Sequence, residues 1–203
     1  KKNMVGGKRK ENYHDSLGID HSQPLKNLYG ETLVKCRLRD GDNSGSWDSE
    51  GKCSELGGGV HQICFKLNSS TKDFSSVTGQ SNWSSKNRLT DLNVETNQHC
   101  MCLGAWALYK AKQDAGTLDN TSGELVCDSI PEVALSTSYV GKWSTWNGNE
   151  LSDQIVNGVN SLFTQCYDSE SNSSKKEYLR NKYCNFAAEN DSLKNSDVYT
   201  NNC

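Results

Sequence analysis

Apolar and polar positions alternate along "HQICFKL" (61–67), placing His61, Ile63, Phe65 and Leu67 on one side of an extended chain and Gln62, Cys64 and Lys66 on the other. Gly57 to Gly59 precede it and supply a turn, so the pattern predicts a half-buried strand. "LYGETLVKCRL" (28–38) follows the same logic, with a turn at Gly30 and a short strand after it. Residues 68–98 are rich in Ser, Asn and Thr and predict a long ordered excursion anchored by Phe74 and Trp83. The period then changes. In "CMCLGAWALYKAKQ" (100–113), Leu103, Trp106, Ala107 and Lys110 recur at helical spacing.

Short strand-like runs are expected around Pro131, and two helices after them. "NELSDQIVNGVNSLFTQCY" (149–167) starts at Asn149 as N-cap and gathers Leu151, Ile155, Val159, Leu162, Phe163 and Cys166 on one face. "SKKEYLRNKYCNF" (174–186) shows a capping box, Ser174 with Glu177, and an apolar side of Tyr178, Leu179, Tyr183 and Phe186. The short connection predicts an antiparallel hairpin in which Cys166 meets Cys184. The polar stretch ending in Cys203 is expected to be a second arm. The fold class is therefore α+β: a small compact domain of short strands with a C-terminal helical hairpin and extended termini. The expected segments are an arm over 1–26, a cysteine-rich domain over 27–165 and a helix with polar tail over 166–203.

Composition sharpens this picture. Of 203 residues only 33% are hydrophobic, and mean hydropathy is −0.78. A thin core offsets folding entropy poorly, so the nine cysteines read as staples, each bridge contributing roughly 2–4 kcal/mol. Cys36, Cys53, Cys64, Cys100, Cys102, Cys166 and Cys184 are the bridge candidates, and an odd count leaves at least one thiol over. No run approaches the roughly 18–20 apolar residues that span a bilayer, so no transmembrane segment is expected. The sequence opens on Lys1 rather than Met, leaving room for an upstream segment.

A net charge of −3 argues against a specific nucleic-acid binder. Local charge differs: Lys1, Lys2, Lys8, Arg9 and Lys10 precede any acid and read either as a solvated flexible tail or as a partner-binding arm.

"DGDNSGSWDSEG" (40–51) nearly spells an EF-hand loop, with Asp40, Asp42, Ser44, Gly45 and Asp48 in liganding register. Its last position is Gly51 instead of Glu, and neither flank reads as a helix, so an acidic surface loop is expected and no metal. Should a metal bind, His61, Cys64, His99, Cys100 and Cys102 form the alternative set, although "HCMC" lacks the Cys-x-x-Cys knuckle of structural zinc. The same residues would serve a thiol-redox domain, where a histidine base must reach a thiolate. "LGGGV" lacks the Lys and Ser/Thr of a phosphate loop. Sequons at Asn68, Asn82, Asn120, Asn172 and Asn190 are about as many as this composition gives by chance.

Five motifs, "NLYGETLVKC" (27–36), "SGSWDSEGKC" (44–53), "GVHQIC" (59–64), "HCMCLGAW" (99–106) and "PEVALSTSY" (131–139), together resemble the domain of unknown function 2237 family of bacteria and algae. The resemblance covers roughly 27–165 and places Cys36, Cys53, Cys64, Cys100, Cys102, His61 and Trp106 on family positions. It implies a compact α+β fold and no established activity. Ser136 and Tyr139 stand where the family has Glu and His, and His99 where it has Trp, so any chemistry of that Glu and His is lost here. "GSWDSEGKCSELGGGVHQIC" and "CLGAWALYKAK" are similar to divergent copies encoded by large DNA viruses of algae and protists, which implies a virion protein. The expectation is thus a minor capsid protein, not an enzyme, without cofactor, located in the capsid shell and tying other capsid subunits together. The alternatives are a thiol-redox or zinc-binding domain, and a secreted, extracellular binding module.

Overall fold

The computed structural model of the chain describes residues 23–42, 46–54, 61–69, 71, 73–80, 95–118, 124–146, 148–150 and 152–203. Strands β1 (His61–Asn68) and β2 (Thr96–Cys102) form an antiparallel pair in which Cys64 faces Cys100 and Phe65 faces His99, with an irregularity between His61 and Ile63. Residues 124–126 extend the pair along β1: Lys66 N–H donates to Glu124 O and Val126 N–H to Cys64 O. Residues 62–65 are all buried, so both faces of the strand are covered, where alternation alone predicts a half-buried one.

One cover is aromatic. Helix α1 (Phe74–Val77) sets Phe74 against Phe65, and helix α2 (Leu103–Asp114), which follows β2 directly, adds Trp106 and Tyr109 to the same cluster. Ring centroids lie 4.8 to 5.7 Å apart. The expected anchor Phe74 is thus in place; Trp83 lies outside the described residues.

Around Pro131 the chain forms two 3₁₀ turns, Cys127–Ser129 and Glu132–Leu135, rather than strands. Pro131 itself closes an isolated bridge to Asn27; lacking an N–H, it cannot continue a ladder. Helix α3 (Thr137–Val140) and the two-residue strands β3 (Thr145–Trp146) and β4 (Asn149–Glu150) follow. Asn149 therefore pairs with Trp146 in a turn-like ladder and does not cap the next helix.

Helices α4 (Ser152–Ser169) and α5 (Ser173–Ala188) make the antiparallel hairpin. Ile155, Val159, Leu162, Phe163 and Cys166 are buried as their spacing predicts, whereas Leu151 lies outside the described residues. Phe163 stacks on Tyr183 at 4.1 Å, and Tyr183 OH donates to Asn160 Oδ1 at 2.7 Å. The α5 cap is Asn172, whose side chain accepts from Ser174 and Lys175 N–H. The expected box fails because Glu177 instead binds Arg180 and Asn181. Helix α4 meets α2 closely: a Cβ at Gly158 would stand 2.7 Å from Ala107 Cβ, so only glycine permits this crossing. The boundary expected at 165 falls inside α4. After α5, the expected polar arm is two short helices, α6 (Asp191–Lys194) and α7 (Asp197–Asn202), with Leu193 buried.

At the other end, Leu25 and Lys26 belong to the fold rather than to an arm, accepting from Leu33 and Glu132 N–H. Residues 33–38 form no strand; Val34 and Leu38 are exposed, and Cys36 and Arg37 N–H both donate to Gly51 O. Among the described residues no helix is long and apolar enough to cross a membrane.

Candidate functional site

Two loops meet over the second face of the strand pair. In the first, Cys36 follows Lys35 and precedes Arg37. The second, residues 46–54, is organised by one carboxylate: Asp48 Oδ1 accepts from Glu50 N–H at 2.8 Å and Lys52 N–H at 2.9 Å, and Oδ2 accepts from Ser54 Oγ. Gly51 adopts φ +82°, and a side chain there would strike Arg37 Cβ at 2.7 Å. Thus Asp48, placed above in liganding register, is a turn organiser, while Asp40 is salt-bridged to Lys35 at 3.1 Å. That contact, with the lysine's charge, holds the Asp40 carboxyl below its ordinary range. Ser44 and Gly45 lie outside the described residues.

The loops deliver Cys36 and Cys53 onto the cross-strand pair. Cys36 bonds Cys64 and Cys53 bonds Cys100, with Cα–Cα distances of 5.9 and 5.3 Å. All four residues are fully buried, and the sulfurs of Cys36, Cys53 and Cys100 lie within 4.8 Å of one another. Strand alternation explains the arrangement, because opposed residues of a ladder present side chains to the same face.

The other cysteines are placed differently from expectation. Cys166 bonds Cys127, and Cys184 bonds Cys203, so no Cys166–Cys184 bridge exists. Tyr183 occupies the position against α4, and the next residue lies about 100° further round the helix, which turns Cys184 toward α7. Cys102 is not bridged; it is buried and N-caps α2. Nothing in the sequence singled out Cys127 or Cys203, since pairing is a property of the fold.

Of the alternative metal set, Cys64 and Cys100 are in bridges, His99 is buried beside Trp47 at 6.3 Å between ring centroids, and His61 is half-buried. Among the described residues the group of ligand atoms mutually within 4.8 Å is Cys36, Cys53 and Cys100, without either histidine or Cys102. Ser136 caps α3 by accepting from Tyr139 N–H at 3.3 Å, and Tyr139 is fully buried. The basic residues Lys1, Lys2, Lys8, Arg9 and Lys10 lie outside the described residues, as do Asn82 and Asn120. Asn172 and Asn190 serve as helix caps through their side-chain oxygens.

Recesses among the described residues are lined by none of the four hub cysteines. An open groove of about 780 Å³ is polar, lined among others by Asn160, Thr164, Gln165 and Asp197 and by Lys110 and Asp114, which pair at 3.6 Å. A smaller apolar cleft of about 170 Å³ includes Val140, Trp143, Ile155 and Phe186, and the buried Trp143 Nε1 has no hydrogen-bond partner among the described residues.

Burial pushes the Cys102 thiol up from 9.0 to about 12, against the pull of the Ala105 and Gly104 backbone. It likewise raises Tyr29 and Tyr178 from 10.0 to about 12, for Tyr178 together with the charge of Glu132. Between pH 9 and 12 the unfolded chain loses protons that the folded chain keeps, so stability is full below pH 9 and falls as pH rises through the folded value. Replacing Cys102 by serine, a good N-cap, should preserve the fold and flatten the decline between pH 9 and 10. Rapid urea unfolding, completed before the exposed thiolate exchanges with the bridges, measures this. An unchanged slope would mean that another group carries the alkaline loss.

No family model matches the chain, and neither the curated proteins nor the solved structures give a match, so its functional reading rests on its own residues.

Proposed function

We propose that the chain is a non-enzymatic structural protein that ties neighbouring subunits into a large assembly, and more narrowly that it is a minor capsid protein of a large DNA virus. The observation that carries this reading is covalent closure: four bridges engage eight cysteines, and the remaining thiol is buried with its pKa raised. Such a chain presents no accessible free thiol and resists unfolding, as suits a permanent component of a shell. The basic residues Lys1 to Lys10 supply the contact with acidic surfaces of neighbouring subunits. Bridges in a particle assembled inside a cell require a dedicated oxidant, because cytosolic thiols are kept reduced.

A second reading, a secreted binding module, is favoured by the same four bridges, which are the norm in oxidising compartments, and by the polar groove beside Asn160. Deleting residues 1–22 discriminates between them. The truncated chain should form all four bridges and melt as the full chain does, yet its recovery with purified particles should fall at least tenfold. Undiminished recovery would sink the arm's role, and a full-length chain found only in the surrounding medium, glycosylated at its sequons, would establish the secreted module.

A further inference from the structure

The hub formed by Cys36, Cys53, Cys64 and Cys100 has a geometry that disulfide stapling alone does not use. Two separate bridges need only two separate pairs. Here the pairs abut, so that the sulfurs of Cys36, Cys53 and Cys100 all lie within 4.8 Å, and Cys64 Sγ is bonded to Cys36. The four cysteines come from four different stretches: two loops held together through Gly51 O and two opposed strands. We propose that these four sulfurs form a tetrathiolate zinc site when the bridges are reduced, so that zinc and the disulfide pair are alternative staples of one hub. The inference is independent of the capsid reading.

Structural zinc takes four thiolates at about 2.3 Å in a tetrahedron, which sets sulfur–sulfur edges of about 3.8 Å. The bonded sulfurs must separate by about 1.8 Å and that of Cys36 draw closer to those of Cys53 and Cys100 by up to about 1 Å, while Cys64 Sγ, which is outside that group of three, swings in by rotation of its side chain. Each bridge accepts two electrons and two protons from a dithiol reductant, which becomes a disulfide. Zinc then replaces the four thiol protons, and these pass to solvent. The resulting site carries two negative charges. Lys35, Arg37 and Lys52, the neighbours of Cys36 and Cys53 in the chain, pair with Asp40 and Glu50 and leave a local excess of one positive charge, and Arg37 Nε is buried without a hydrogen-bond partner among the described residues. Full burial of the four cysteines keeps water from competing for the ion.

The full chain, reduced anaerobically with a phosphine that does not chelate, should bind one Co(II) with the visible and near-ultraviolet bands of a tetrahedral thiolate complex. Zinc should displace the cobalt and raise the melting temperature of the reduced chain, while leaving the oxidised chain unmoved. Cys36→Ser and Cys53→Ser should abolish the four-thiolate spectrum; Cys102→Ser and the double variant Cys184→Ser/Cys203→Ser should retain it. A reduced chain that binds no metal, or that stays unfolded when zinc is added, would overturn the proposal. So would a spectrum that survives Cys36→Ser and Cys53→Ser but is lost with Cys102→Ser, which would transfer the site to the strand and histidine set.

Discussion

Replacing Trp106 by alanine should destabilise the protein by about 3–5 kcal/mol, the largest loss expected from any single side chain. Trp106 is fully buried at the point where α2 joins the strand pair to α4. Its ring lies 5.7 Å from Phe65, and its Nε1–H donates to Gly158 O at 3.1 Å across the close helix crossing. Truncation removes the ring from both partners and leaves a cavity that cannot collapse, because the Gly158–Ala107 contact already has the helices at their limit. In a chain of this size the loss corresponds to a drop in melting temperature of roughly 10 °C or more. Trp106→Phe keeps most of the volume and forfeits the hydrogen bond, so about 1–2 kcal/mol is expected. Calorimetry of the oxidised chain is the measurement; a loss under 1 kcal/mol for the alanine variant would contradict the packing described above.

Removing the Cys127–Cys166 bridge, by the double substitution Cys127→Ala/Cys166→Ala, should cost about 4 kcal/mol on the chain-entropy account for its 39-residue separation. Its position makes it more than a loop closure. Cys127 follows the stretch paired with β1, and Cys166 lies on α4, so this bridge adds to the backbone a second covalent link between the helical hairpin and the segment beside β1. Tyr29 adds to the same junction, with its OH donating to Cys166 O at 2.7 Å. Urea unfolding without reductant should show the midpoint falling while the Cys36–Cys64 and Cys53–Cys100 hub stays intact. A change below 1 kcal/mol would mean that α4 docks equally well without its tether.

Much of the fold was legible because it follows from periodicity. The alternation at 61–67 marks β1, and the spacing of Ile155, Val159, Leu162, Phe163 and Cys166 marks the buried face of α4. Caps were harder, because several residues compete for one helix start: Asn172 takes the α5 N-terminus that Ser174 could also serve, and Asn149 is drawn into a two-residue ladder. The stretch 33–38 has strand composition, yet its backbone donors scatter to Leu25 O, Asp128 O and Gly51 O, partners that only the folded chain brings together. The candidate hub was half legible. Its four cysteines stood among the bridge candidates, but that they would abut depends on Cys64 facing Cys100 in the ladder, and register between distant strands is not written in either strand alone. Cys102 looked equivalent to Cys100 by its Cys-x-Cys spacing, and it is separated from it by lying at the strand-to-helix junction.

The order of the bridges along the chain has its own consequence for cleavage. Cys36–Cys64 and Cys53–Cys100 interleave, whereas Cys127–Cys166 and Cys184–Cys203 each close a separate ring. The backbone is therefore three closed rings joined by two open stretches, 101–126 and 167–183. A protease that nicks any ring once leaves a single covalent molecule, while one that cuts at 119–123 divides it into two pieces held only by noncovalent contacts, among them the packing of α2 on α4 and the hydrogen bonds between β1 and residues 124–126.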